Sequence, residues 1–317
     1  MIRYTGKISF TLALLMTVWS LSGCKTVDKA KDKAAEANKE ASALQKDAQE
    51  AKASAEETKA ETEAAADDAA TKASLAAAVA DDNRPAKDIA RDVYRHPVDT
   101  LLFFGVKPDS TVLELWPGRG WYTRILGPYV GAKGKLYVTN YSAADSSEYR
   151  AKLSTEYAET LKTIPNNTRF SAIEVLPPEN INFGLENEAD VVLTFRNVHN
   201  WKKDGSDKVI YAEALKALKP GGVFGVVEHR APEGTTWEES ADTGYVDQQL
   251  LIEEIEAAGF KFVESSEVNA NAKDTKNYPK GVWTLPPSLK LKEQDADKYL
   301  EIGESDRMTL KFIKPVQ

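Results

Sequence analysis

Short runs of aliphatic, β-branched and aromatic residues recur along residues 111–267, most of them separated by longer helical patterns. This alternation constrains the fold more than any other feature of the chain. "TVLELW" (111–116), "GKLYVTN" (134–140), "TRFSAIEV" (168–175), "ADVVLTFR" (189–196), "VFGVVEHR" (223–230) and "KFVESSE" (261–267) read as strands, and "DRMTLKFIKP" (306–315) as a last one. "ADVVLTFR" is apolar enough for burial on both faces, the mark of a central strand in a parallel sheet. Helical patterns fill 121–131, 145–163, 206–222 (ending in Pro-Gly-Gly) and 247–260, after a helical lead-in over 86–105. Strands joined through helices give a parallel sheet covered on both faces. The last two strands have a long connection without a helical pattern, so an antiparallel edge strand is expected.

The first 83 residues have another character. "MIRYTGKISFTLALLMTVWSLSGC" opens with Arg3 and Lys7, and Ile8 to Val18 is an apolar stretch too short to span a membrane. This is the pattern of an export signal. Leu21-Ser22-Gly23-Cys24 resembles the bacterial lipobox, in which the cysteine accepts a diacylglyceryl group and, after cleavage, an acyl chain such as palmitate on its new amine. The alternative is an ordinary signal peptide with a chance cysteine. Cys24 is the only cysteine, so it has no disulfide role. Buried methylenes contribute about 0.8 kcal/mol each, so several acyl chains together anchor a protein stably. Lys25 follows the cysteine, and by resemblance to Gram-negative lipoproteins this implies an outer-membrane location facing the periplasm.

Residues 25–83 contain no Gly, Pro or aromatic residue and are rich in Ala, Lys, Glu and Asp, a helix-favouring composition. Val27, Ala30, Ala34, Ala37, Ala41, Leu44, Ala48, Ala51 and Ala55 recur at spacings of three and four, a heptad seam. Such a spacer is either a self-associating coiled coil or a lone tether supported by Glu–Lys pairs. The expected organisation is therefore a signal peptide at 1–23, an acylated cysteine and helical spacer at 24–83, and one domain at 84–317. The formal net charge of −8 argues against nucleic acid as a partner.

Four features of the domain occur in a telling order: "VLELWPGRGWYT", "ADVVLTFRNVHNW", "ALKPGGVFGVVEHR" and "EIEAAGF". In order and spacing they resemble the motifs of class I S-adenosylmethionine (SAM)-dependent methyltransferases, from about residue 86 to the end. The resemblance implies a Rossmann-like, mostly parallel seven-stranded sheet in the order 3-2-1-4-5-7-6, with strand seven antiparallel and helices on both faces. It also implies SAM as cofactor, bound at the carboxyl ends of the strands where the sheet order switches. Glu114 matches the family's acidic position after strand one, and Gly118 and Gly120 match the last two glycines of its turn. Trp116 stands where the first glycine is usual. Asn140 takes the place of the acidic ribose ligand after strand two, with Asp145 nearby. Tyr122 and Asn197, with Asn200 beside it, complete the candidate cofactor and substrate contacts.

Only three histidines are present. His199 follows strand four and His229 ends strand five, so both point to one sheet edge, and His96 lies in the lead-in. A neutral imidazole there is suited to take a proton from a substrate hydroxyl or amine; structural hydrogen bonding and metal binding are the alternatives, although no acidic residue stands at tight ligand spacing to the histidines. Arg230 is a candidate holder of an anionic substrate, or a surface ion-pair partner. The expected function is a membrane-anchored SAM-dependent methyltransferase acting on a small molecule. The alternative is a repurposed or non-catalytic methyltransferase-fold lipoprotein that binds another ligand or an envelope protein.

Overall fold

Seven strands form one sheet: β1 (Thr111–Leu115), β2 (Lys135–Tyr141), β3 (Phe170–Val175), β4 (Ala189–Phe195), β5 (Leu218–His229), β6 (Lys261–Ser266) and β7 (Arg307–Ile313). Their order is 3-2-1-4-5-7-6, and β7 runs antiparallel to both β5 and β6. This is the sheet that the methyltransferase resemblance implies. The computed structural model describes residues 24–131, 133–165 and 169–316. The expected signal segment, 1–23, and the thiol of Cys24 lie outside what is described.

The helices are α1 (Cys24–Val79), α2 (Ala86–Ile89), α3 (Asp92–Arg95), α4 (Pro97–Phe103), α5 (Thr123–Val130), α6 (Glu148–Thr163), α7 (Val198–Asp204), α8 (Asp207–Ala217), α9 (Trp237–Thr243), α10 (Gln248–Ala257) and α11 (Ala296–Ile302). The chain divides into two compact units, Met1–Ala66 and Asp67–Gln317. In the first, the described side chains of α1 are exposed, and Lys46–Glu50 and Lys59–Glu63 pair one turn apart at 3.6 and 3.8 Å. In the second, α1 buries Leu75 and Ala78 in a core cluster with Leu101, Phe104 and Val130. Among the described residues no helix is long and apolar enough to cross a membrane.

Two local departures from the expected pattern have plain causes. The lead-in forms three short helices, because His96 precedes Pro97 and takes a left-handed backbone (φ 38°) instead of continuing a helix. The helix expected to reach Gly222 stops at Ala217, and β5 begins at Leu218. Pro220 has no N–H to give a helix and pushes the residue before it towards extended backbone.

The core lies on both faces of the central strands. Val191 to Thr194 of β4 are all buried, and a buried Val or Leu contributes about 1.5–3 kcal/mol. Gly225 of β5 allows a close approach: a Cβ there would stand 2.7 Å from the Phe104 ring and 2.8 Å from Leu193. Parallel pairing of Leu115 with Thr194 and of Phe195 with Val227 brings the ends of β1, β4 and β5 to one edge. Antiparallel pairing of His229 with Arg307 returns the start of β7 to the same edge.

Candidate active site

A cavity of about 900 Å³ opens beyond these strand ends. It runs from Tyr141, Tyr149 and Leu153, past Gly118 in the turn after β1, to His199 and His229; Trp283 and the Pro286–Pro287 segment also line it. The long connection between β6 and β7 supplies that last wall, while the lead-in supplies Lys87, Asp88, Arg91 and Arg95.

The turn after β1 is built around an unusual residue. Trp116 has φ 44°, a left-handed conformation that glycine takes freely and that costs another residue about 1–2 kcal/mol. Its indole is 5% exposed and packs on Trp201, Tyr141 and Phe183, with ring centroids 5.2, 6.2 and 6.3 Å away. Thr139 Oγ1 accepts its backbone N–H at 2.7 Å. The backbone thus keeps the shape of a glycine turn while the side chain fills the core beneath it. Gly118 and Gly120 also have positive φ, and a Cβ on Gly118 would meet nothing within 4 Å. The Asn197 amide donates to the carbonyls of Leu115 and Trp116, tying β4 to this turn.

Glu114 is 1% exposed and accepts a hydrogen bond from Thr123 Oγ1 at 2.6 Å. Burial raises its pKa from 4.5 to about 8, although the Thr123 bond opposes the shift. At neutral pH it is therefore largely a neutral acid, until a cation beside it draws off the proton. Tyr122 stacks on Phe195, centroids 3.5 Å apart, and burial raises its phenol to about 12, so it stays protonated.

The two histidines meet at the far end, ring centroids 5.4 Å apart. His199 Nδ1 lies 3.1 Å from Glu228 Oε1, and Glu228 also accepts the backbone N–H groups of Val198 and His229. Assigning Glu228 as a carboxylate that accepts fixes the tautomer: His199 Nδ1 donates, leaving a lone pair on Nε2. Glu228, fully buried, is a candidate site residue that the sequence did not single out. Its signal is its place in "VVEH", at the end of an otherwise apolar strand. His229 Nδ1 bonds Ser305 Oγ at 2.5 Å. Burial, His199 and then Arg196, Arg307 and Arg95 depress its pKa well below the usual imidazole value.

Contrary to the sequence expectation, a carboxylate does stand at metal-ligand spacing to the histidines: the ligand atoms of His199, Glu228 and His229 lie within 4.8 Å of one another, because the fold brings the end of β5 against α7. The positive field of the same three arginines works against a cation there.

The structure brings Glu114, Trp116, Gly118, Tyr122, Asn197, Asn200, His199 and His229 to the cavity. Gly120 faces α6 instead, where a Cβ would stand 3.0 Å from Thr160. Asn140 lines a separate recess of about 10 Å³, its amide donated to Ser154 on α6. Asp145 is tied to Arg150. His96 does not line the cavity, and the Arg230 guanidinium is taken up by Glu267 and Asp306. Arg91, Arg95 and Trp283, which do line it, lie in no quoted motif, and Arg196 was not singled out within its own; they come from three separate segments that only the fold assembles.

Similar solved structures include a SAM-dependent methyltransferase from Aquifex aeolicus (17% identity, 71% of this chain and 93% of that one, TM-score 0.47). A putative sarcosine dimethylglycine methyltransferase from Galdieria sulphuraria shows 13% identity over 73% of this chain and 87% of that one, TM-score 0.47. The cyclase SpnF shows 17% identity over 75% and 86%, TM-score 0.47. No protein-family model matches the sequence, and no curated protein matches it.

Proposed function

We propose that the chain is an envelope-anchored, SAM-dependent methyltransferase acting on a small molecule. One observation carries the reading: a single cavity joins the buried acid at the end of β1 and the glycine turn that follows it to His199, after β4, which Glu228 at the end of β5 orients.

The residues fit the cofactor. Tyr141, Tyr149 and Leu153 offer an apolar and aromatic surface for a base, the open backbone at Gly118 admits a ligand, and Glu114 is an acid suited to an ammonium group. SAM supplies an electrophilic methyl group when bound. The chain's own part is positioning and proton removal. Glu228 holds the His199 ring so that Nε2 takes the proton of an acceptor hydroxyl or amine, and it stabilises the imidazolium that results. His229 stays neutral beside it and accepts or donates a hydrogen bond without adding charge.

Calorimetric titration of the purified full-length chain with SAM and S-adenosylhomocysteine tests this, with micromolar binding of both expected. A folded chain that binds neither overturns the reading in favour of a fold member that binds another ligand. The anchoring part of the proposal, with an outer-membrane location facing the periplasm, rests on the Leu21–Cys24 pattern. Mass spectrometry of the mature N-terminus should find Cys24 as the first residue and acylated; an unmodified Cys24 refutes it.

A further inference from the structure

Four guanidinium groups crowd one carboxylate at the inner wall of the cavity. Arg91 and Arg95 both donate from Nε to Glu304, and Arg307 donates to the same carboxylate from Nη2. Arg196, directly after β4, donates its backbone N–H to Val227, but its guanidinium has no hydrogen-bond or ion-pair partner among the described residues, and it lines the cavity with Arg91 and Arg95. Nη2 of Arg91 and Nη2 of Arg95 are buried and likewise bond nothing.

Such an arrangement is costly as it stands. Buried N–H donors without acceptors lose their hydration without return, and like charges repel more strongly where water is scarce. The repulsion registers on the groups themselves: burial and then Arg307 hold Arg196 down to about 10, and burial and then Arg196 hold Arg95 well below the usual guanidinium value. Arg95 is nevertheless held in place. Its guanidinium lies 4.5 Å from the centre of the Trp121 ring, and Trp121 Nε1 is anchored to the carbonyl of Asp88 at 2.9 Å. Arg196 itself occupies a left-handed backbone, φ 62°. Arg95 is thus held in place, and the wall it shares with Arg91 and Arg196 carries more guanidinium N–H groups than carboxylate oxygens to accept them, a donor set suited to an oxyanion.

We propose that Arg91, Arg95 and Arg196 form an oxyanion subsite that holds a carboxylate or phosphate group of the substrate in the His199 end of the cavity. The inference rests on the methyltransferase reading only in calling that ligand the substrate; the subsite itself stands on the arginines. Bound SAM would add net positive charge to the cavity, because its ammonium and sulfonium outweigh its one carboxylate, whereas an anionic co-substrate would lower it. This assigns the acceptor to the class of small acids or phosphate esters that also carry a nucleophilic hydroxyl or amine within reach of His199.

The test uses the full-length chain in a buffer free of other oxyanions. Inorganic phosphate and acetate serve as separate probes, and thermal unfolding and tryptophan fluorescence as readouts. Saturable stabilisation by phosphate is expected if the anion is a phosphate group, and by acetate if it is a carboxylate. In Arg196→Gln the response should weaken about tenfold or more. The same variant should unfold, without anion, at a temperature equal to or above that of the wild type, since it relieves repulsion; a purely structural arginine would give the reverse. Arg91→Gln is the second variant should Arg196→Gln fail to fold. No saturable response to either probe, or equal responses in wild type and variant, overturns the proposal. Competition between phosphate and S-adenosylhomocysteine also overturns it, by assigning the arginines to the cofactor's carboxylate. Phosphate binding without binding of S-adenosylhomocysteine keeps the subsite and removes the methyltransferase reading.

Discussion

Replacing Glu114 by Gln should change how stability depends on pH. Glu114 is buried at the end of β1 with one hydrogen bond, from Thr123. Its pKa rises from 4.5 to about 8 on folding, mainly through desolvation. At about 1.4 kcal/mol per pH unit, ionising it inside the fold costs roughly 5 kcal/mol. The sign follows from which state holds the proton. Between pH 4.5 and 8 the folded chain keeps a proton that the unfolded chain has lost, so stability is complete at low pH and falls as pH rises through 8. The Gln variant has no proton to lose and should lack this component. Urea unfolding at pH 5 and pH 9 on both proteins measures it: the difference in stability between variant and wild type should grow by about 4 kcal/mol in favour of the variant, the remainder having been lost already by pH 5. Parallel profiles would refute the argument. A bound ammonium group reverses the balance at Glu114, so the wild type, and not the variant, should bind S-adenosylhomocysteine more tightly as pH rises towards 8.

Other consequences are open to direct measurement. His229 is depressed below the usual imidazole value, so it costs stability as pH falls below about 6.5, where the unfolded ring protonates and the buried one does not; nitrogen-detected NMR should find it neutral there while an exposed imidazole titrates. The same spectra should show His199 protonated on Nδ1, and Glu228→Gln should shift that tautomer balance; an Nε2-protonated His199 in the wild type would refute its assignment as a base. Trp116→Gly relieves about 1–2 kcal/mol of backbone strain but removes an indole worth about 3–5 kcal/mol of packing, so a net loss near 2 kcal/mol is expected by urea unfolding, and a gain would refute the packing argument. Leu75→Ala should destabilise the second unit by about 2–5 kcal/mol, whereas Leu44→Ala, on a side chain 69% exposed, should not; equal effects would contradict the boundary near Asp67.

Residues 84–317 were legible as an alternating α/β sheet because most strands carry their own apolar run, with glycine or proline near many of their ends, and because those signals are local. The order of the strands followed from the motif resemblance and is the order found. Glu114, Gly118, His199 and His229 could be named in advance because each directly follows or ends a strand, and strand ends gather at one edge of a parallel sheet. Asn140 looked equivalent on the same grounds. Its side chain turns to Ser154, a choice made by the packing of α6 and not by position along the chain.

The sequence by itself determined the alternating sheet, the glycine-type turn at Trp116–Gly120 and the placement of two histidines at the strand ends, since all of these depend on residues near one another in the chain. Only the tertiary structure decided which charges share the cavity. Arg91 and Arg95 come from the lead-in, Arg196 from the end of β4, and Glu304 and Arg307 from the last strand and its approach, more than 200 residues apart. No local pattern sets their distances. The antiparallel return of β7 against β5 does, by pairing Arg307 with His229 and so placing one buried carboxylate among four guanidinium groups at the inner wall of the cavity.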